Sequence, residues 1–141
     1  MQTIQYQSFG QSDVLALAEV AQAQISNDNE VLIQVKAASV NPLDIKIRMG
    51  FMQKMRPVQL PFTPGLDAAG IVVAVGAAVS RFKVGDEVMA ATTMGAYAEY
   101  IVAKEELVSL KPNNVSFAEA ASLVVNLGTA QSILFWEGKL E

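Results

Sequence analysis

The sequence predicts a mainly β domain: a partly open β-barrel with a short helix after the third strand and two helices at the C-terminal end. Three observations lead to this fold class. Short runs of strand-forming residues, separated by turn residues, fill most of the chain up to residue 110. Helix-start signals occur once early and again after residue 115. The chain has 141 residues, of which 52% are hydrophobic and 17% charged, as expected of one globular domain with a sizeable core.

The strand predictions rest on alternating polarity and on the turn residues between the runs. The clearest strand follows the polar turn Ser26–Asn29, and its apolar side chains alternate from Val31 to Val35. A second strand is apolar almost throughout, and its small residues Ala68–Gly70 allow another backbone to come close. The predicted strands are Met1–Tyr6, Leu15–Val20, Glu30–Val40, Asp67–Val75, Glu87–Ala91, Ala96–Val102 and Leu107–Leu110.

A short helix is predicted near Pro42–Met49, directly after the third strand. Asn41 is a natural N-cap, Pro42 suits the first helical position, and Asp44 places a negative charge in the first turn. The stretch 51–64 contains three prolines and no periodicity, which indicates a surface loop. We expect the methionines around this loop to fill irregular gaps or to line an apolar pocket.

Two helices are predicted at the C-terminal end, over Ser116–Leu123 and Gly128–Trp136. The first begins with a capping box, in which Ser116 and Glu119 satisfy each other's backbone N–H groups. The second carries a large apolar surface, including Ile133. The change from strand to helix signals at this point separates the barrel from its terminal helices.

Composition excludes several kinds of chemistry. The sequence has no Cys and no His, so disulfides, thiol nucleophiles and an imidazole base are absent, and a zinc site is close to excluded. The net charge is −4 and the ten Lys and Arg residues are scattered, so neither nucleic acid nor an anionic membrane surface is expected as a partner. No apolar run is long enough to span a bilayer, and no signal peptide begins the chain, so we expect a cytoplasmic protein.

An ordered set of motifs runs through most of the chain. It consists of Ala38–Asp44, Gly65–Val72, Val75-Gly76, Val79, Phe82, Gly85-Asp86, Val88 and Gly95–Tyr100. Together these motifs resemble the medium-chain dehydrogenase/reductase superfamily. The resemblance implies a GroES-like N-terminal domain, in agreement with the strands predicted above.

The resemblance is to the branch of that superfamily that lacks zinc. Alcohol dehydrogenases of the zinc branch have a ligand Cys where Asn41 stands, a ligand His where Leu66 stands, and a further Cys near Val125, and they carry a four-Cys zinc lobe that is absent here. The chain is instead similar to the quinone oxidoreductases. Within these, Asn41–Gly50 is most similar to the enone and alkenal reductases, which carry a Lys at the position of Lys46.

This resemblance implies a site and a cofactor. We expect NADPH to be bound by Asn41, Lys46 and Thr129, and hydride to pass without a metal to an electrophilic carbon of a quinone or enone. Conjugate reduction builds negative charge on the carbonyl oxygen, so Lys46 is the candidate catalytic residue. Each residue also has a structural interpretation: Asn41 as a helix cap, Lys46 as a solvated lysine, and Thr129 as an ordinary helix-start residue. Asp44 is interpreted as a first-turn charge rather than a site residue.

The resemblance also implies a domain organisation. Residues 1–125 correspond to the GroES-like catalytic domain, and residues 126–141 to the start of a linker helix toward a Rossmann domain that this sequence does not contain. Apolar surface that such a domain would cover is a candidate homodimer interface. The alternative from another class is a non-enzymatic GroES-like structural module, such as a subunit of a co-chaperonin-like ring.

Overall fold

The computed structural model describes residues 1–140, so only Glu141, the last residue of the predicted linker segment, lies outside the described residues. Its strands are β1 (Gln2–Gln5), β2 (Ala16–Glu19), β3 (Glu30–Ala38), β4 (Asp67–Val75), β5 (Glu87–Ala91), β6 (Tyr100–Lys104) and β7 (Val108–Leu110). Its helices are α1 (Pro42–Arg48) and α2 (Phe117–Gln131), with a π-helical turn at Ser132–Glu137 and short 3-10 turns at Ser12–Val14 and Glu105–Leu107.

The strands described in residues 1–140 form a five-stranded antiparallel sheet in the order β6-β3-β4-β5-β7 and a two-stranded ribbon of β1 and β2. Single bridges between Thr3 and Ala98, and between Tyr6 and Phe62, attach the ribbon to the rest of the domain. The curled sheet and the ribbon make the partly open barrel, which confirms the predicted fold class.

The core lies inside the curl of the sheet. Alternate residues of β3 and β4 point into it, and Val31, Ile33 and Val72 are fully buried there. β3 and β4 approach closely at Gly70, where a Cβ would collide with the carbonyl oxygen of Gln34. The sequence prediction of a close backbone approach at Ala68–Gly70 is therefore confirmed.

Helix α2 packs through small side chains. Ala120 and Ala121 are buried against Ala69 of β4, and Phe117 packs at the edge of this contact. The predicted capping box is present: Glu119 N–H donates to Ser116 Oγ at 3.2 Å, and Ser116 N–H donates to the Glu119 carboxylate at 2.7 Å. This local signal fixes where the helix begins.

The predicted bounds were wrong by more than two residues in two places. The C-terminal helices are not separated near residue 125, because α2 runs without a break from Phe117 to Gln131 and continues into the π-helical turn. Gly128 costs about 1 kcal/mol inside a helix, less than the cost of ending one helix and starting another. The strand predicted at Ala96–Val102 instead spans Tyr100–Lys104. The backbone before it meets β1 only through an isolated bridge and single bonds, such as that from Ile4 N–H to Tyr97 O at 2.8 Å, so no continuous ladder forms there.

Candidate functional site

The candidate site is built around the N-terminus of α1, where the chain leaves β3. Asn41 is extended (φ −107°, ψ 152°) and is the N-cap, and Pro42 fixes the first helical position. The Asn41 N–H donates to Asp44 Oδ2 at 2.8 Å. The predicted start of the helix is confirmed, and Asp44 supplies the capping bond.

The side chain of Asn41 turns inward and is only 6% exposed. Its Nδ2 donates to Asp67 Oδ2 at 2.9 Å and to Ser39 Oγ at 3.1 Å. The Ser39 hydroxyl in turn donates to the same Asp67 oxygen at 2.8 Å. Both amide hydrogens are engaged inside the chain, and Oδ1 faces the Asp44 N–H in the capping box, so a ligand would meet the Asn41 side chain through the remaining acceptor capacity of Oδ1.

Asp44 lies at the centre of a second set of contacts. Besides the Asn41 N–H, its Oδ2 accepts a hydrogen bond from the Tyr97 hydroxyl at 3.2 Å. Burial raises the pKa of Asp44 above its ordinary value of 3.8, and the Asp67 carboxylate raises it further, while the bonds from Asn41 and Tyr97 oppose this. Burial and the Asp44 charge also raise the pKa of Tyr97, so the phenol stays protonated and donates.

We call Ser39, Asn41, Asp44, Asp67 and Tyr97 the α1 cluster. Sequence reasoning singled out Asn41 and set Asp44 aside, and it gave no role to Ser39, Asp67 or Tyr97. One signal was available for Asp67, because a carboxylate that begins an apolar, two-sided buried strand has to be satisfied by something. No such signal marks Tyr97, which reaches Asp44 only through tertiary structure.

Lys46 lies on α1, two residues after Asp44, and its side chain is exposed. Its neighbour Ile47 is fully buried, which anchors this turn of the helix. Within residues 1–140 the Lys46 ammonium takes part in no ion pair. It is therefore a solvated cation on the helix that the α1 cluster caps, available to an anionic or polar ligand.

Thr129 is exposed in the last turn of α2. The prediction that it stands at a helix start was wrong, because α2 begins at Phe117 and does not restart at Gly128. Its hydroxyl thus has no helix N-terminus beneath it to favour a phosphate. No hydrogen bond of the described residues joins Thr129 or Lys46 to the α1 cluster.

Two concave regions adjoin the α1 cluster. An open, mostly apolar groove of about 460 Å³ is lined by residues that include Leu17, Val35, Val40 and Tyr97. A smaller pocket of about 60 Å³ lies beside Asp44 and shares Val40 and Tyr97 with the groove. Among the residues that the structure describes, Asn41, Lys46 and Thr129 line neither. We place the candidate site at the α1 cluster, because the groove is shallow and the cluster holds the buried polar atoms.

No described helix combines the length and the hydropathy needed to cross a membrane. No group of three Asp or Glu side chains in this part of the chain is arranged to hold a metal ion.

Comparison with protein families matches residues 27–113 to the family described as the alcohol dehydrogenase GroES-like domain. Among curated relatives, a chloroplastic quinone-oxidoreductase homolog of Spinacia oleracea is 45% identical over 138 residues, which cover 95% of this chain and 42% of the relative. A chloroplastic NADPH-dependent alkenal/one oxidoreductase of Arabidopsis thaliana is 41% identical over 134 residues, which cover 89% of this chain and 34% of the relative. The chain thus spans well under half the length of these relatives.

Solved structures of the same family have the same fold as this chain. The human synaptic vesicle membrane protein VAT-1 homolog-like protein superposes with a TM-score of 0.94 at 34% identity, covering 100% of this chain and 45% of that one. The Escherichia coli quinone oxidoreductase complexed with NADPH superposes with a TM-score of 0.86 at 31% identity, covering 95% of this chain and 40% of that one. The family implied by the motifs is confirmed: the chain belongs to the alcohol dehydrogenase GroES-like domain family, in the branch of the medium-chain dehydrogenase/reductase superfamily that holds the quinone oxidoreductases and enone reductases.

Proposed function

We propose that this chain is the GroES-like, catalytic side of an NADPH-dependent reductase that acts on quinones or enones without a metal. Residues 1–125 form that catalytic domain, and residues 126–141 lead toward a cofactor-binding Rossmann domain. The proposal is supported by relatives named for quinone and alkenal reduction and by a neighbour solved with NADPH. The observation that carries it is the exposed, unpaired ammonium of Lys46 on the helix capped by the α1 cluster.

The donor set suits a nicotinamide cofactor better than a metal. The Lys46 ammonium and the Thr129 hydroxyl can donate to ribose, carboxamide and phosphate oxygens, and Asn41 Oδ1 can accept from a ribose hydroxyl or from the carboxamide N–H. It offers no Cys or His, the usual ligands of zinc. When bound, NADPH supplies the hydride that reduces the substrate.

The chain's own residues would have separate tasks. Lys46 would stabilise the negative charge that develops on the carbonyl oxygen of an enone or quinone. Asn41 would accept a hydrogen bond through Oδ1, since its amide hydrogens are held by Ser39 and Asp67. Thr129 would contact the cofactor from α2. The exposed apolar residues nearby, including Val40 and Ile45, would give the substrate an apolar surface to pack against.

This chain alone should bind NADPH only weakly. Asn41, Lys46 and Thr129 can make two or three hydrogen bonds, each contributing about 0.5–1.5 kcal/mol net, or about 1.5–3 kcal/mol where charged. Association costs roughly 4–15 kcal/mol. A dissociation constant in the millimolar range or weaker follows, and micromolar binding or turnover of a simple enone by this chain would contradict the proposed division of the site between two domains.

Titration of NADPH into the isotope-labelled chain, followed by NMR, tests the proposal. The amide shifts should change around Asn41, Lys46 and Thr129, and Lys46→Met should weaken binding several-fold. The control Lys54→Met removes the same charge from another exposed lysine and should leave binding unchanged. Shift changes confined to other surfaces, or equal effects of the two variants, would refute the site.

The non-enzymatic ring subunit remains the alternative from another class. It predicts a large ring in gel filtration, whereas the reductase proposal predicts a monomer or a homodimer. The cytoplasmic location and the absence of a nucleic-acid partner, both inferred from composition, stay predictions.

A further inference from the structure

The α1 cluster contains two buried carboxylates whose charge is not compensated. Asp67 is 0% and Asp44 4% exposed, and all the donors to their Oδ2 atoms are neutral groups. The Oδ1 atom of each is buried and accepts no hydrogen bond of normal geometry in the described part of the chain, although the Gly65 backbone N–H, also a neutral donor, lies near the Asp44 carboxylate. Because an isolated buried charge is costly, buried carboxylates are ordinarily paired with a cation.

No cation of residues 1–140 makes that pair. The ion pairs of this region join Lys83 to Asp86, Lys104 to Glu106 and Lys111 to Glu87. Arg48 lines the small pocket beside Asp44, but its Nε donates to the carbonyl oxygen of Gly10 at 3.3 Å. A cationic ligand close to these carboxylates would therefore supply a positive charge that no ion pair of the described residues provides.

The proposed reaction creates such a charge. Hydride transfer moves one hydrogen and an electron pair from the reduced nicotinamide to the electrophilic carbon of the substrate. The nicotinamide ring is left with one positive charge, and the substrate anion takes up a proton from water. A fixed negative charge close to the ring would favour this product and the transition state that leads to it, in which part of the charge has already formed.

We propose that Asp67, with Asp44 beside it, stabilises the oxidised, positively charged nicotinamide, so that this site binds the oxidised form more tightly than the reduced form. The inference rests on the proposed function, because it takes Asn41 as a cofactor contact. Asp67 lies one hydrogen bond behind Asn41, at 2.9 Å from Nδ2. It is a positioning residue in that it holds the Asn41 amide, and its charge acts through space.

The test compares two small probes, oxidised and reduced nicotinamide mononucleotide, which carry the ring, ribose and one phosphate and differ by one charge at the ring. Both are titrated into the 141-residue chain by NMR. The wild type should bind the oxidised probe about tenfold more tightly, the ratio expected of two unit charges about 12 Å apart at an effective dielectric constant of about 20. Asp67→Asn should reduce that ratio to about threefold or less, and Asp67→Glu, which keeps the charge, should restore most of it.

The control is Asp13→Asn, which changes the net charge equally but at an exposed residue of the first 3-10 turn. It should leave the ratio unchanged, which separates a local effect from the attraction of an acidic protein for a cation. If Asp67→Asn does not fold by circular dichroism, Asp44→Asn removes the neighbouring charge and should also lower the ratio.

The outcomes separate the two proposals. Equal affinity for the two probes in the wild type, or a ratio that Asp67→Asn and Asp44→Asn leave unchanged, overturns this inference alone. An equal fall in the ratio for Asp13→Asn also overturns it. If neither probe shifts the amides around Asn41 at millimolar concentration, the proposed function fails, and this inference fails with it.

Discussion

The Tyr97 hydroxyl is the contact that joins the segment before β6 to the N-terminus of α1, so Tyr97→Phe tests the α1 cluster directly. The variant removes one oxygen and keeps the ring, which packs against Gly65 so closely that a Cβ there would collide with it. It deletes a bond to a carboxylate that already has one buried oxygen without a partner.

The expected loss of stability follows from that bond. Hydrogen bonds to charged groups contribute about 1.5–3 kcal/mol, and this one is long, at 3.2 Å, and its donor is only partly buried. We therefore expect Tyr97→Phe to lower the free energy of unfolding by about 1–2 kcal/mol, and Tm by about 3–8 °C. Urea unfolding at pH 7, monitored by circular dichroism, measures the change.

The stability lost in Tyr97→Phe should be larger at neutral pH than at acidic pH. The Tyr97 hydroxyl stabilises the ionised form of Asp44, whose pKa in the folded chain lies above 3.8 because the group is buried. The difference between wild type and variant should be present at pH 7 and disappear as the pH falls through that raised pKa.

The matched control is Tyr100→Phe. The Tyr100 hydroxyl takes part in a neutral hydrogen bond, accepting from Gln34 Nε2 at 3.3 Å. This variant should lose about 0.5 kcal/mol or less, with no pH dependence. A Tyr97→Phe loss that equals the control, or that stays constant down to pH 3, would refute the importance of the contact with Asp44.

Three further predictions follow from the same structure. Gly70→Ala should lower the free energy of unfolding by about 3 kcal/mol or more, because the added Cβ collides with the backbone of β3. Gly128→Ala should raise it by about 0.5–1 kcal/mol, because the added Cβ meets open space and alanine favours the helix. Urea unfolding measures both changes. Hydrogen bonds from Ser26 and Asn27 lower the pKa of the Glu30 carboxyl to about 2. The contribution of the ionised carboxylate to the stability of the fold should therefore be complete above pH 4.5 and be lost as the pH falls toward 2. Thermal melts at several pH values measure this dependence, and Glu30→Gln should abolish it. Metal analysis of the untagged chain should find substoichiometric zinc, and one zinc per chain would contradict the argument from the missing Cys and His.

Several elements were predictable because their signals are local. The bounds of β4 and β5 agree with the predicted runs, since each is an apolar stretch that ends at turn residues. The start of α1 and the capping box of α2 were also predicted, since a cap depends on residues three positions apart in the sequence. The family was also predictable, because short motifs occur in a characteristic order along the chain, and the comparisons confirm it.

The sequence by itself therefore determined the fold class, the family and the absence of Cys and His chemistry. Only the tertiary structure decided that α2 is continuous, because helix cooperativity and packing on β4 outweigh the local cost of Gly128. It also decided the composition of the α1 cluster. Asp67 bonds to Asn41 across 26 positions of sequence and Tyr97 bonds to Asp44 across 53, and hydrogen bonds of that kind leave no periodic or capping signal in the chain.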